Sequence, residues 1–228
     1  RNFFSLGLMS GTSMDGIDFS IIKSDGERSI EIIDNMYLEY DSKLKSKLSE
    51  IVELCTSKKM FKKFSKEIKK IEREITLYHA KACQLIIEKN KKIKIDLLGF
   101  HGQTILHKPH KGYSIQIGDS NLLAKLTNIN VISNFRENDI VNGGQGAPLA
   151  SLYHQLILNK VKTKFPSAII NIGGIANITY MERYNKILSF DTGPGNYLID
   201  KFVKNKIKMK FDKDGLIAKS GNVNEIIL

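Results

Sequence analysis

Only two cysteines, Cys55 and Cys83, occur in the 228 residues. A fold framed by disulfides is thereby excluded, and a reducing compartment, the cytoplasm, is the expected setting. No apolar run approaches the roughly 20 residues that a membrane helix requires, so no membrane partner is expected. The opening Arg1-Asn-Phe-Phe-Ser-Leu-Gly7 enters a strand too soon for a secretory leader. The sequence has no G-x-x-x-x-G-K-[ST] loop, no G-x-G-x-x-G opening a helix, no H-E-x-x-H, no C-x-x-C and no G-x-S-x-G. A P-loop nucleotide site is therefore unsupported. His79, His101, His107, His110 and His154 are scattered, with no pair at metal-ligand spacing.

What is present begins with 42% hydrophobic residues, enough for a real core. Lys and Arg total 35 against 24 Asp and Glu, a net charge of +11. Much of that charge is local: residues 58–94 hold twelve Lys and one Arg against four Glu. The same segment places Phe61, Phe64, Ile68, Ile71, Ile75, Tyr78, Ala82 and Leu85 at steps of three and four, one face of a helix. An amphipathic helix packed on a sheet, with its lysines in solvent, accounts for both features. A nucleic-acid surface would interleave aromatics and Arg with the Lys. Here the aromatics sit on the apolar face and Arg is scarce, so no nucleic-acid partner is expected.

The pattern along the chain is α/β. Strands are predicted at 4–9, 17–23, 29–40, 96–100, 113–117 and 130–135, with helices at about 43–55, 58–90, 120–128 and up to about 159. Asp25-Gly26 reads as a hairpin turn. Pro166 marks a boundary, giving a first domain over 1–165 and a second over 166–228. Beyond it the pattern restarts. Ser167–Ile172, Gly173-Gly174 and Ile175–Met181 mirror the opening strand, the Gly11–Gly16 turn and its returning strand, which suggests an internal duplication. A helix follows from about Tyr197, and another is expected to begin near Asn222. That last pattern, with Arg1 at the start, leads us to expect a fragment.

Chemistry, if present, lies in Gly-rich polar turns at strand ends. In Ser10-Gly11-Thr12-Ser13-Met14-Asp15-Gly16-Ile17-Asp18 the glycines let backbone N–H groups approach an anion, and the hydroxyls add donors. Asp15 and Asp18 are candidate Mg²⁺ ligands. A plain β-hairpin turn is the alternative. Asn171-Ile-Gly173-Gly174-Ile-Ala-Asn177 offers a second such turn. In Phe190-Asp191-Thr-Gly-Pro-Gly-Asn196, Asp191 is either a helix cap or a general base beside phosphates. Gln103, Thr104, Arg136 and Asp139, with the loop Gly143-Gly-Gln-Gly-Ala-Pro148, are of the types that grip sugar hydroxyls and a carboxylate.

Leu8-Met-Ser-Gly-Thr-Ser-Met-Asp-Gly-Ile-Asp18 resembles the signature of anhydro-N-acetylmuramic acid kinases. Phe100-His-Gly-Gln-Thr104, Gln116-Ile-Gly118, Phe135-Arg136, Gly143–Leu149, Asn171–Asn177 and Phe190–Asn196 are similar to that family in the same order, from about residue 5 to Gly221. The resemblance implies a two-lobed ribonuclease-H-like fold of the actin and hexokinase type, with ATP in the cleft. It implies that the 1,6-anhydro ring is opened by water and O6 is phosphorylated from ATP, giving N-acetylmuramic acid 6-phosphate in cell-wall recycling.

By position, Gly11, Thr12, Ser13, Met14, Asp15, Gly16, Ile17 and Asp18 match the ATP-phosphate segment, joined by Gly173 and Gly174. Asp191 matches the base for the attacking water. Gln103, Thr104, Arg136 and Asp139 are the sugar candidates, Mg²⁺ accompanies ATP, and a homodimer is implied. Family members continue beyond Leu228, so the resemblance implies that the second lobe is incomplete and that the chain alone is inactive. A non-catalytic sugar- or phosphate-binding module, and another sugar kinase of the superfamily, are the alternatives.

Overall fold

The first strands alternate as half-buried strands must. In the computed structural model, which describes residues 1–184 and 186–226, strand β1 (Phe3–Ser10) buries Leu6, Leu8 and Ser10. Strand β2 (Gly16–Ser24) pairs antiparallel with β1 and buries Ile17, Phe19 and Ile21. The Asp25 carboxylate accepts from the backbone N–H groups of Glu27, Arg28 and Ser29. These bonds close the predicted hairpin into β3 (Ile30–Glu39) and hold the Asp25 carboxyl well below the usual carboxylate range.

Helix α1 (Ser42–Leu54) starts at Asp41, whose Oδ1 accepts from the Leu44 N–H at 2.7 Å. The single helix predicted over 58–90 is two, α2 (Lys58–Lys63) and α3 (Ser65–Lys89), parted at Phe64 with φ −94° and ψ 20°. Phe61 and Phe64 both pack on the core, so the break sacrifices no burial. The predicted stripe on α3 is buried at Ile68, Ile71, Ile75 and Ala82, and Thr76, His79, Cys83 and Ile86 join it. All twelve lysines of 58–94 are exposed.

Strand β4 (Leu97–Lys108) runs parallel to β1 with Leu98 beside Leu6. The sequence predicts it to end at Phe100; it continues through His101–Thr104, because its far half pairs antiparallel with β5 (Tyr113–Ile117). A register shift between Leu8 and Ser10 sets Gln103 opposite Ser10. Helix α4 (Ser120–Thr127) is capped by Asp119. Strand β6 (Asn130–Ile132) pairs parallel with β4. It stops short of the predicted Phe135 because Asn134 takes a left-handed φ of 60°, and Phe135 opens α5 (Phe135–Val141) instead. The sheet order is β3-β2-β1-β4-β5, with β6 also on β4. Three antiparallel strands followed by parallel β4 and β6 form the ribonuclease-H-like arrangement expected.

The chain divides into two compact units, Arg1–Leu149 and Ala150–Leu228, rather than at residue 165. Helix α6 (Ser151–Lys160) goes with the second unit because His154 Nδ1 hydrogen-bonds Thr179 Oγ1 at 2.7 Å inside it. That unit's sheet is β7 (Ser167–Ile172), β8 (Ile175–Arg183) and β9 (Lys186–Pro194), antiparallel in sequence order. The sheet of each unit thus opens as strand, glycine turn and antiparallel returning strand. Helix α7 (Tyr197–Ile207) follows, then a short helix, α8 (Leu216–Ser220), that the sequence reading leaves out. Of the helix expected from Asn222, residues 222–226 are irregular or turn, and 227–228 lie outside the described residues. No described helix is long and apolar enough to cross a membrane.

Candidate functional site

The turn between β1 and β2 is held from three sides. Within it, the Met14 N–H donates to the Gly11 carbonyl at 3.2 Å, and Met14 adopts a left-handed φ of 58° while its side chain packs on the core. At its far end, the Tyr40 N–H donates to the Asp15 carbonyl at 2.9 Å. At its near end, Ser10 Oγ donates to Gln103 Oε1 at 2.6 Å, and Gln103 Nε2 donates to the Gly11 carbonyl at 3.0 Å. Gly16 is required by close approach. A Cβ there would lie 2.4 Å from the Leu38 carbonyl oxygen and 2.6 Å from the Tyr37 hydroxyl.

This scaffold leaves Thr12, Ser13 and Asp15 exposed, while Gly11 and Met14 are half-buried. Ile17 is wholly buried, so its side chain serves packing. Asp18 is exposed on β2, yet partial desolvation raises its carboxyl above the ordinary value. A nearby cation would offset that cost. Among the described residues no group of three or more His, Cys, Asp or Glu gathers.

A second constellation lies on β4 and α5. Gln103 is fully buried with its amide engaged at the turn, an unexpected place for a sugar ligand. Thr104 Oγ1 accepts from Gln116 Nε2 at 3.1 Å. Arg136, in the first turn of α5, donates from Nε to His101 Nε2 at 2.9 Å and from Nη1 to the Gly146 carbonyl at 2.5 Å. Asp139 Oδ2 accepts the Gly146 N–H at 2.6 Å, and the Asp139 carbonyl accepts the Gly144 N–H at 2.8 Å. Asp139 thus shapes the Gly143–Gly146 loop, and that loop and His101 together aim Arg136.

His101 is absent from the site residues that the sequence reading names, although Phe100-His-Gly-Gln-Thr104 contains it. Its Nδ1 lies 2.8 Å from the Gly102 carbonyl. A carbonyl only accepts, so Nδ1 carries the hydrogen and Nε2 is the acceptor for Arg136. Burial first, and the Arg136 charge second, lower its pKa to about 4, so the ring is neutral at physiological pH. Tyr40 is the other residue missed; nothing in its sequence surroundings sets it apart from a strand-end core tyrosine.

In the second unit the two glycine turns are laced together. Gly173-Gly174 joins β7 to β8, and the Gly195 and Asn196 N–H groups donate to the carbonyls of Gly174 at 2.9 Å and Gly173 at 2.7 Å. Asn196 Nδ2 reaches the Ile172 carbonyl at 3.3 Å. A Cβ on Gly195 would lie 2.3 Å from the Gly173 carbonyl oxygen, so the lacing itself requires glycine. Asp191 is exposed on β9 opposite Asn177. The N-cap of α7 is Asn196, so Asp191 is not a helix cap.

Comparison with known proteins shows the family of the chain. The sequence profile described as "Anhydro-N-acetylmuramic acid kinase" matches residues 3–228. A protein of that name from Pelagibacter ubique (strain HTCC1062) is 50% identical over 228 residues, covering 99% of this chain and 60% of the relative. One from Rhizobium etli is 41% identical over 222 residues, covering 96% of this chain and again 60% of the relative. The chain therefore spans about 60% of the length of the curated relatives it matches. Among solved structures, an Aquifex aeolicus Ppx/GppA family member aligns with 88% of this chain and 54% of its own at 11% identity and a TM-score of 0.39.

Proposed function

Since the chain belongs to the anhydro-N-acetylmuramic acid kinase family, we propose that it carries the phosphate-contacting and base-bearing segments of a cytoplasmic, ATP-dependent kinase acting on anhydro-N-acetylmuramic acid in peptidoglycan recycling. In this reading Asp191 takes a proton from water as the water oxygen bonds to the anomeric carbon. The bond from that carbon to O6 breaks, and its electron pair stays on O6. O6 then bonds the γ-phosphorus as the bond to the ADP oxygen breaks, and Asp191 returns its proton to solvent. The products are N-acetylmuramic acid 6-phosphate and ADP. Because the first step frees the nucleophile of the second, alignment of the two substrates supplies much of the rate.

The observation that carries the base assignment is the exposed Asp191 on β9, outside the helix cap and four residues before the laced Gly195. The exposed Thr12, Ser13 and backbone of Gly11–Gly16, with Gly173 and Gly174, would receive phosphates. Asp15 and Asp18 would hold Mg²⁺, which neutralises phosphoryl charge when bound. Arg136, aimed by His101 and Gly146, suits the sugar's carboxylate, and Thr104 a hydroxyl. Asp139 and Gln103 act behind them by shaping loops.

The test is a coupled ADP-release assay with anhydro-N-acetylmuramic acid. It is run on the chain alone and on a hybrid completed with the part of the Pelagibacter relative that the chain does not cover. Turnover is expected in the hybrid only, reduced at least about 100-fold by Asp191→Asn. A folded hybrid without turnover, or one indifferent to Asp191→Asn, refutes the reading. Light scattering on the eluted hybrid checks the homodimer.

A further inference from the structure

The buried polar groups behind the Gly11–Gly16 turn form one directed chain. The Tyr40 hydroxyl donates to Ser10 Oγ at 3.1 Å, Ser10 Oγ donates to Gln103 Oε1 at 2.6 Å, and Gln103 Nε2 donates to the Gly11 carbonyl at 3.0 Å. Ser10 and Gln103 are fully buried and Tyr40 nearly so. A hydroxyl has one proton, so with Ser10 giving its own to Gln103, Tyr40 must donate to Ser10. Burial raises the Tyr40 phenol's pKa further, which keeps that proton in place. Aligned bonds of this kind polarise one another, and in a dry site none is exchanged for water at low cost.

The three residues come from separate places in the fold: the end of β1, the middle of β4 and the residue after β3. Gln103 reaches Ser10 only because the β1–β4 register shifts between Leu8 and Ser10. Tyr40 grips the turn at both ends, by its hydroxyl through Ser10 and by its backbone N–H on the Asp15 carbonyl. It is itself fixed by edge-on packing against Tyr78, whose hydroxyl donates to Asp41, the cap of α1. Core packing alone needs neither hydroxyl nor amide here, because apolar residues of equal volume would fill the space.

We propose that Tyr40, Ser10 and Gln103 are positioning residues that fix the Gly11–Gly16 turn in its nucleotide-receiving shape. Gln103 therefore serves the phosphate side of the site and does not contact the sugar. The inference rests on the reading of this turn as a phosphate-contacting segment. Gln103 ties the Gly11 carbonyl, which is also the acceptor for the Met14 N–H, so its loss frees the start of the turn while leaving the turn residues intact.

The experiment has two arms. In the first, amide hydrogen exchange is followed by NMR in the chain itself, for the unsubstituted protein, Tyr40→Phe, Gln103→Met and Leu48→Ala. The reporters are the Met14 amide and the amide of residue 40. In the second, ATP with Mg²⁺ is titrated into the hybrid carrying the same substitutions, beside Gly16→Ala, which strikes the turn directly.

Tyr40→Phe and Gln103→Met are expected to speed exchange at the reporters about tenfold or more relative to the strand amides of β1 and β4. They should weaken ATP by about tenfold, with the KM for the sugar within about twofold. Leu48→Ala, a core loss elsewhere in the unit, should speed exchange broadly and leave ATP affinity unchanged. Reporters that keep their protection in both Tyr40→Phe and Gln103→Met overturn the proposal. So does faster exchange with unchanged ATP affinity where Gly16→Ala still weakens ATP. If Gly16→Ala also leaves ATP affinity unchanged, the phosphate reading of the turn has failed, and the proposal with it.

Discussion

The sheets of the two units begin with the same strand, glycine turn and returning strand, yet they are buried very differently. In the first, α1 and α3 lie on the sheet, and a continuous core runs from Leu6 through Phe19, Leu44, Ile75 and Leu98 to Leu123. In the second, α6 packs on β8 and β9 and shelters Thr179 and Met181. Period-two alternation sends Ile170, Tyr180, Leu188 and Phe190 to the other face, where all four are exposed. A glycine turn at a strand end is thus no guarantee of a buried sheet behind it. Burial depends on what crosses the sheet, and hydrophobic stabilisation scales with the apolar area removed from water.

The sharpest way to break this comparison is to remove equal volume from each sheet. Leu98→Ala, in the fully buried centre of β4, is expected to cost about 2–5 kcal/mol. Ile170→Ala, at a residue 62% exposed, should cost under about 0.5 kcal/mol. Urea unfolding read by amide exchange in each unit measures both. Similar losses in the two units would show that the second sheet has a core of its own.

Acid should separate the units next. Burial lowers the pKa of His79 to about 4, and burial with the Arg136 charge does the same for His101. Against an unfolded value of 6.5, the unfolded state binds more protons between the two values. Stability of the first unit is therefore present above about pH 6.5 and lost as the pH falls toward 4, by at most about 3 kcal/mol per histidine. His154 shifts the same way in the second unit, by burial. Thermal melts from pH 7 to 4 should show a steeper slope in the first unit, reduced by His101→Gln. An identical slope in that variant would mean that His101 does not titrate as a neutral partner of Arg136.

Much of this was legible in the sequence because local rules held. The stripe from Ile68 to Ala82, the Asp25-Gly26 hairpin and the restart after Pro166 follow from spacing and turn chemistry alone. What spacing left open was decided mostly by long-range pairing. His101–Thr104 looks like a polar loop, and becomes strand only because β5 returns beside it. Gln103 has the right type for a sugar ligand, and its bond to Ser10, made through a register shift on a neighbouring strand, leaves no mark in the local sequence. Asp191 could be read as a cap until Asn196 took that position. The glycine turns and Arg136 were visible as motifs, whereas Tyr40, which holds the first turn through Ser10, and His101, which aims Arg136, act across 30 and 35 positions of sequence respectively.

A smaller effect tests the sheltered face of the second unit. Thr179 Oγ1 bridges His154 Nδ1 at 2.7 Å and Ser189 Oγ at 3.0 Å. Thr179→Val keeps the shape and removes the bridge, leaving a buried imidazole nitrogen without its partner. A loss of about 1–3 kcal/mol is expected, confined to the second unit. If exchange rates in the first unit rise equally, the two units do not unfold separately and the contrast between them is one of burial only.

The open face gives the smallest change in stability and the most specific one in behaviour. Leu188 and Tyr180 are cross-strand partners, and Ile170 and Phe190 flank Ile178 in the next row. Together they form a contiguous apolar patch, whereas surface apolar residues scattered singly have no such consequence. Ile170→Lys with Leu188→Lys should alter unfolding free energy by no more than about 0.5 kcal/mol in this chain, since neither side chain leaves a packed site. The pair should nevertheless lower self-association measured by light scattering, because charges interrupt the patch. A stability loss like that of Leu98→Ala would mean that the face is covered in solution. In that case the difference between the two units would lie in their coverings, and their sheets would be equivalent.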